Sequence, residues 1–98
     1  MAAVFHLMRD EEILGTLHSY SADFHWLNCK FEPTPAFEAI RFLFEQQLAS
    51  VDSKDIVKME EAFSQVEALN LVLIDIDGNE KIVEFLLNID GDEAWFRY

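Results

Sequence analysis

The sequence predicts a single α+β domain, over residues 1–98, in which two antiparallel strand meanders pack with two central helices in the order βββ-αα-βββ. Short β-prone segments bounded by polar turns occupy both ends of the chain, and apolar residues at helical spacing occupy the middle. A length of 98 residues suits one domain, and a hydrophobic content of 51% favours a packed core. The meanders are expected to join in one sheet, with two separate small sheets as the alternative.

The first meander is predicted from three β-prone segments that are separated by the polar turns RDEE and SAD. These segments are residues 3–8, 13–20 and 24–31. A register centred on the two turns would bring His6 and Cys29 to either side of Gly15 on one sheet face.

Two helices are predicted between the meanders. Thr34 precedes Pro35, and a residue before proline avoids the helical region, so Thr34 is expected as the N-cap with Pro35 at the first helical position. Asp52 or Ser53 is expected to cap the second helix, and Phe42 is expected to pack on that helix. The predicted buried stripes are Phe37, Ile40, Phe44 and Leu48 on the first helix and Ile56, Met59, Phe63 and Val66 on the second.

The second meander contains two Asp-Gly sequences, which are typical of hairpin turns. If the second Asp-Gly is a two-residue turn, Leu87 lies opposite Ala94, Phe85 opposite Phe96 and Glu84 opposite Arg97. The predicted strands are residues 71–76, 81–89 and 93–98.

The first Asp-Gly sequence also raises the question of calcium binding. An EF-hand loop needs glycine at its sixth position, whereas counting from Asp75 places glycine fourth and Leu86 twelfth, so no calcium site is predicted. A two-residue turn here would oppose Asp75 with Glu80. Like charges directly opposite are unfavourable, so a four-residue loop from Asp77 to Glu80 is preferred.

The charge of the chain limits its partners. A net charge of −12 opposes binding to nucleic acid or to an anionic membrane surface, and neither is expected. Residues 60–93 hold ten acidic residues against one base, Lys81, which favours a basic protein partner. The single cysteine, Cys29, excludes an intramolecular disulfide, and without a secretory signal in the opening residues a cytoplasmic location is expected.

The residues that could support chemistry are His6, His18, His25 and Cys29. Zinc requires three or four ligands, and the predicted register brings no third ligand near His6 and Cys29. The sequence also lacks a nucleophile elbow, a phosphate-binding glycine loop and an HExxH motif. No catalytic residue, metal or cofactor is therefore predicted, and a small enzyme or metal-binding protein that uses these four residues is the alternative.

Both faces of the predicted meanders carry large apolar side chains, whereas a sheet with helices on one side should alternate apolar and polar residues. Either the core is larger than two short helices suggest, or a partner covers the surplus. We predict a non-enzymatic protein–protein interaction module that forms a homodimer, with a self-associating structural module as an alternative function. The predicted partner-binding residues are Tyr20, Phe24, Trp26, Leu73, Ile82, Leu86 and Trp95.

The segment FHWLNCKFEPTPAFEAIRFLFE, residues 24–45, resembles a stretch of small uncharacterised bacterial proteins. In those proteins an aromatic strand runs through a Phe-x-Pro-Thr-Pro-like link into a helix that contains phenylalanine. The resemblance covers about a quarter of the chain. It implies a bacterial protein of unknown function and carries over no active residue.

Overall fold

The computed structural model describes residues 3–23 and 25–98, and the α+β class is confirmed within them. Three strands come first, β1 Val4–Arg9, β2 Glu12–Asp23 and β3 Trp26–Pro33. A 3₁₀ helix, Pro35–Ala39, leads into α1 Arg41–Ser53 and α2 Ile56–Glu67. Four strands follow, β4 Val72–Asp75, β5 Glu80–Ile82, β6 Leu86–Asp90 and β7 Glu93–Arg97.

These seven strands form one antiparallel sheet in the order β5-β4-β1-β2-β3-β7-β6. The two edge strands, β5 and β6, are consecutive in the chain and are joined by residues 83–85 alone. In a flat sheet, six strand spacings would separate the edges by about 29 Å. The four Cα–Cα steps from Ile82 to Leu86 span at most about 15 Å. The sheet therefore curls until its two edges approach each other.

A ring contact inside the sheet shows the same curvature. Phe5 on β1 and Phe96 on β7 are separated by two intervening strands, β2 and β3, and a flat sheet would hold their backbones about 14 Å apart. Their ring centroids lie 5.0 Å apart in an edge-to-face arrangement. We call the concave side of the sheet, which carries these rings, the inner face, and the convex side the outer face.

The inner face and the helices form the hydrophobic core. From the helical side, Phe37 and Phe44 enter the core, and the Phe37 ring meets Phe31 of β3 at a centroid distance of 4.8 Å. Gln47 of α1 is buried and donates from Nε2 to the Leu87 carbonyl on edge strand β6 at 2.7 Å. The largest fully buried side chains are Phe31, Phe37, Phe44, Phe96, Leu7, Leu14, Leu17, Leu73 and Cys29.

The register of the first meander differs from the predicted one because of a bulge. The bulge gives β2 an extra residue, Leu14, so that Gly15 pairs with Leu7 and His6 pairs with Thr16. As a result, each β1 residue before the bulge points to the side of the sheet opposite to the predicted one. The predicted grouping of His6 with Gly15 is therefore wrong.

Thr34 holds the bulged segment in place. Its N–H donates to the Leu14 carbonyl at 2.9 Å, and its hydroxyl donates to the Ile13 carbonyl at 2.7 Å. The predicted helix start is confirmed in position, with Pro35 as the first residue of the 3₁₀ helix, but the Thr34 side chain makes no capping hydrogen bond. Thr34 thus ties the first helical turn to β2.

The helices differ from the sequence predictions in two further ways. The cap of α2 is Asp55, whose Oδ1 accepts from the N–H groups of Val57 at 3.0 Å and Lys58 at 3.3 Å, so the choice of Asp52 or Ser53 was wrong. Phe42 is 52% exposed and is not covered by the second helix. The predicted stripe residues Phe37, Ile40 and Phe44 are buried, whereas Leu48, Met59, Phe63 and Val66 are half-buried and Ile56 is exposed.

The first Asp-Gly turn adopts the register that we disfavoured. Asp75 lies opposite Glu80, and residues 76–79 form the loop. The Asp75 carboxylate is directed into this loop, where Oδ1 accepts from the N–H groups of Asp77 at 3.0 Å and Gly78 at 3.3 Å. These local hydrogen bonds give the carboxylate partners and offset its repulsion by Glu80.

The two strands that flank the second Asp-Gly turn, β6 and β7, pair two residues away from the predicted register. Phe96 pairs with Leu87 and Ala94 with Ile89, so the predicted pairs Leu87–Ala94, Phe85–Phe96 and Glu84–Arg97 do not form. The glycine of this turn occupies the first loop position with φ +63°, a conformation in which glycine carries no steric penalty.

The predicted strand 81–89 is interrupted at residues 83–85, which carry the chain from one sheet edge to the other. Because of this interruption, Leu73 and Ile82 face the same interior as Leu87 and Phe96. Leu73 and Ile82, which the sequence predicts as partner-binding residues, therefore lie in the core. No helix in the described part of the chain is long and apolar enough to span a membrane.

Candidate interaction surface on the outer sheet face

The outer face of the sheet carries exposed and half-buried aromatic side chains over its β2-β3-β7-β6 half. Along β7, Ala94 and Phe96 point inward and are buried, whereas Trp95 between them is half-buried on the outer face. The same alternation leaves Trp26 half-buried on β3. We call this surface the tryptophan face, and its members are Tyr20, Asp23, Trp26, Asn28, Lys30, Leu86, Glu93, Trp95 and Arg97.

Both tryptophans of the chain lie on this surface and are close neighbours. Asn28 pairs directly with Trp95, and Trp26 lies two residues from Asn28 on the same side of β3. Diagonal neighbours of this kind are within reach of aromatic side chains. Together with Asp23 at the end of β2, they line a shallow depression of about 400 Å³.

A charged cluster lies beside the depression. Lys30 forms an ion pair with Glu93, and the Tyr20 hydroxyl donates to Glu93 Oε2 at 2.9 Å. Hydrogen bonds from Lys30 and then Tyr20 lower the pKa of Glu93, and the bond to Glu93 raises the pKa of both donors. At neutral pH the cluster therefore holds an anionic Glu93, a cationic Lys30 and a neutral Tyr20.

A guanidinium group already contacts one of the two indole rings. Arg97 places its Cζ atom 5.5 Å from the centroid of the Trp26 ring, within the range of a cation–π interaction. Arg97 pairs with Leu86 on the edge strand, whose side chain is 42% exposed. The tryptophan face thus combines aromatic, apolar and charged groups on the convex side of the sheet.

Four of the seven predicted partner-binding residues, Tyr20, Trp26, Leu86 and Trp95, come together on this face. Leu73 and Ile82 lie in the core and cannot contact a partner in this fold. Phe24 lies outside the described residues.

Sequence reasoning missed the polar members of the tryptophan face, which are Asp23, Asn28, Lys30, Glu93 and Arg97. The signal that could have found the last four is the two-residue alternation of "WLNCKF" and "EAWFR", which places polar side chains on the same side as the tryptophans. The abundance of aromatic residues concealed this alternation.

The residues proposed for chemistry are not brought into one site. His6 and His18 lie on the outer face, at diagonal positions of β1 and β2, whereas Cys29 points into the core. His25 lies in the turn that joins β2 and β3, with φ +78°. Among residues 3–23 and 25–98, no group of three or more His, Cys, Asp or Glu residues could hold a metal ion.

Cys29 is further limited by its surroundings. Burial, followed by the charge of Glu93, raises the pKa of its thiol to about 11, so the thiolate is scarce at neutral pH. Its Sγ donates weakly to the Leu27 carbonyl at 3.9 Å. This environment is that of a small apolar core residue.

A second concave region, of about 810 Å³, lies where α2 approaches the link between β5 and β6. Phe63 and Val66 of α2 form one wall, and Val83 and Phe85 of the link form another. Gln47 lies at its base, where its Nε2 also approaches Asn88 Oδ1 at 3.1 Å.

Comparison of the chain with protein-family models, with curated proteins and with solved structures found no match. The resemblance of residues 24–45 to small bacterial proteins therefore stays a prediction.

Proposed function

We propose that this chain is a non-enzymatic protein-interaction module that binds a basic partner protein through the tryptophan face. The observation that carries the proposal is the position of both tryptophans, Trp26 and Trp95, on the side of the sheet opposite the described helices. Tyr20, which is 58% exposed, adds a third aromatic residue to the same surface. Tryptophan, tyrosine and arginine are the residues in which binding energy concentrates at protein interfaces.

Burial of this surface by a partner would be favourable. Trp26 and Trp95 are half-buried and keep part of their large apolar area in contact with water, and each Å² removed from water contributes roughly 25 cal/mol. Leu86 extends the apolar area to the sheet edge. The polar groups of Asn28, Lys30 and Glu93 lie between the aromatic residues and can supply the hydrogen bonds of an interface.

Charge favours a basic partner. The chain carries a net charge of −12, so a cationic protein is attracted over a distance that is set by ionic screening, about 10 Å at 0.1 M salt. The acidic segment of residues 60–93, which includes Glu93 of the tryptophan face, adds to this attraction. Such steering acts mainly on the association rate. We propose a cytoplasmic location for this function, because a single cysteine cannot form the intramolecular disulfides that are typical of secreted proteins.

A second copy of the chain is the alternative occupant, as in the predicted homodimer. The exposed Leu86 and, farther along the outer face, Ile13 at 39% exposure favour it. Two copies that each carry −12 repel each other, so added salt should strengthen a homodimer and weaken binding to a basic partner. Sedimentation of the purified protein at low and high salt separates the two assemblies.

The proposal is tested by affinity capture from native cells, comparing wild type with Trp26→Glu, Trp95→Glu and Phe42→Glu. Phe42→Glu is the matched control because Phe42 is an exposed aromatic residue on α1, away from the outer face. We expect wild type and Phe42→Glu to retain the same basic protein, and both tryptophan variants to lose it. Thermal unfolding of each variant verifies that it is folded.

The association rate of the captured protein should fall as salt rises from 0.05 to 0.5 M, on the order of tenfold or more. A captured protein that binds all three variants equally would contradict the proposal. A wild type that captures only itself would replace the basic partner by the homodimer.

A further inference from the structure

We infer that the depression between Trp26 and Trp95 is a subsite for one cationic side chain of the partner, best filled by arginine. The inference rests on the proposed function, because it names the group by which a basic protein would be anchored. The depression is lined by Asp23, Trp26, Asn28 and Trp95, and has the volume to admit one long side chain, about 400 Å³.

The lining provides the two kinds of group that recognise a cation. The indole rings of Trp26 and Trp95 both line the depression, and tryptophan is the strongest of the aromatic residues in cation–π contacts. Asp23 supplies an exposed carboxylate at the end of β2. The side chain of Asn28 donates from Nδ2 to Ser21 Oγ at 3.1 Å, which orients its Oδ1 as a further acceptor.

The protein already shows this type of recognition within its own chain. Arg97 approaches the Trp26 ring to 5.5 Å, on a sheet position next to the depression. Arg97 is not part of the lining of the depression, and among the described residues Asp23 is the only ionisable one that lines it. A second guanidinium could therefore contact the indoles from the Asp23 side, with the Asp23 carboxylate as its counter-ion.

Arginine fits these groups better than lysine does. Its planar guanidinium stacks on aromatic rings and presents several N–H donors at once, whereas an ammonium is a compact and strongly hydrated charge. An acidic side chain would meet the Asp23 carboxylate and the negative faces of the rings. The depression thus discriminates by charge first and by planarity second.

The probe is acetyl-Gly-Arg-Gly-amide, titrated into the ¹⁵N-labelled protein while the two indole N–H signals are recorded. The chain has only two tryptophans, and both line the depression, so both signals report on it. Trp26→Phe and Trp95→Phe variants assign the signals. We expect both signals to shift and to saturate with a dissociation constant in the millimolar range, on the order of 1–10 mM.

A matched peptide tests whether binding needs the positive charge, and two matched variants test whether it needs the Asp23 carboxylate. The citrulline peptide, which keeps the shape but not the charge, should produce at most a tenth of the shift at equal concentration. Asp23→Asn should weaken binding of the arginine peptide about threefold, as loss of one exposed ion pair does. Asp10→Asn removes the same charge at the opposite end of β2, in a left-handed turn position that asparagine tolerates, and should leave binding unchanged.

Equal shifts with the arginine and citrulline peptides, or equal weakening by Asp23→Asn and Asp10→Asn, would overturn the inference. So would the absence of a saturable shift up to about 50 mM peptide. If this titration fails while Trp26→Glu and Trp95→Glu still lose the captured protein, the interaction function stands and only the cationic anchor is lost. If the titration succeeds and no partner is captured by wild type, the subsite stands and the interaction function fails.

Discussion

The two faces of the sheet are built from the same strands, and both carry aromatic side chains, but these side chains differ in burial. On β7 the inner residues Ala94 and Phe96 are buried, while Trp95 between them is half-buried on the outside. Curvature explains the difference. Side chains on the concave face converge, so rings from strands three positions apart touch, as Phe5 and Phe96 do. Side chains on the convex face diverge, and no helix in the described part of the chain packs over the tryptophans.

This comparison shows how a chain with two short helices can enclose a large apolar core. The curled sheet brings the side chains of its inner face together, and the helical-side residues Phe37, Ile40 and Phe44 pack against them. The large apolar residues of the strands therefore divide between the core and the outer face. Leu73 and Ile82 belong to the core, whereas both tryptophans lie half-buried on the outer face.

The largest effect is expected from a cavity on the inner side. Phe37→Ala removes a fully buried ring that contacts both Phe31 and Phe44, and should lower the free energy of unfolding by about 3–5 kcal/mol. Phe42→Ala, on the exposed side of α1, is the control and should change it by no more than about 0.5 kcal/mol. Urea unfolding of both variants gives the comparison, and equal losses would show that the core is misplaced.

The next effect tests how closely the inner face is packed. A Cβ atom on Gly15 would lie 2.4 Å from Cε1 of the Phe31 ring and 2.9 Å from the Glu32 carbonyl oxygen. Gly15→Ala should therefore cost about 3 kcal/mol, since both a ring and a backbone atom must move. Gly78→Ala meets nothing closer than 3.8 Å, at Asp75, and should be neutral within about 1 kcal/mol. Thermal unfolding of the pair decides, and a harmless Gly15→Ala would contradict the Phe31 placement.

A smaller effect comes from the thiol that faces inward. The pKa of Cys29 is raised from its ordinary value of 9.0 to about 11, so the native state keeps the proton that the unfolded state loses above pH 9. The stabilisation from this difference is complete below pH 9 and is lost as pH rises through 11. Relative to Cys29→Ala, wild type should lose about 1.4 kcal/mol of unfolding free energy between pH 7 and pH 10. A difference that stays constant with pH would indicate an accessible thiol.

Much of the fold could be predicted from local sequence, because its elements follow from local chemistry. The helix start at Pro35 follows from proline geometry, and the buried residues Phe37, Ile40 and Phe44 follow from helical spacing. The strand segments follow from β-prone residues bounded by polar turns, apart from the break at residues 83–85.

The register could not be predicted, because distant contacts determine it. The bulge at Leu14 is held by Thr34, which lies twenty residues farther along the chain. That extra residue moves His6 to the outer face, and a separate shift in the β2–β3 register pairs Cys29 with Ser19 instead of Gly15. Turn patterns alone gave a symmetric register and carried no information about this contact.

Some residues of the candidate site could be predicted from the sequence, and others could not. Tyr20, Trp26, Leu86 and Trp95 could be found because large aromatic or apolar residues stood out against the acidic composition. Leu73 and Ile82 were misassigned because the sheet curls, and curvature is a property of all seven strands together. No short segment of the sequence encodes it.

The central claim is that the inner face stabilises the fold and the outer face is available for binding. Phe96→Ala and Trp95→Ala test it most directly, since these neighbours on β7 point to opposite faces. Urea unfolding should show a loss of about 3–5 kcal/mol for Phe96→Ala and about 1 kcal/mol for Trp95→Ala. Equal losses, or a larger loss for Trp95→Ala, would contradict the assignment of the two faces.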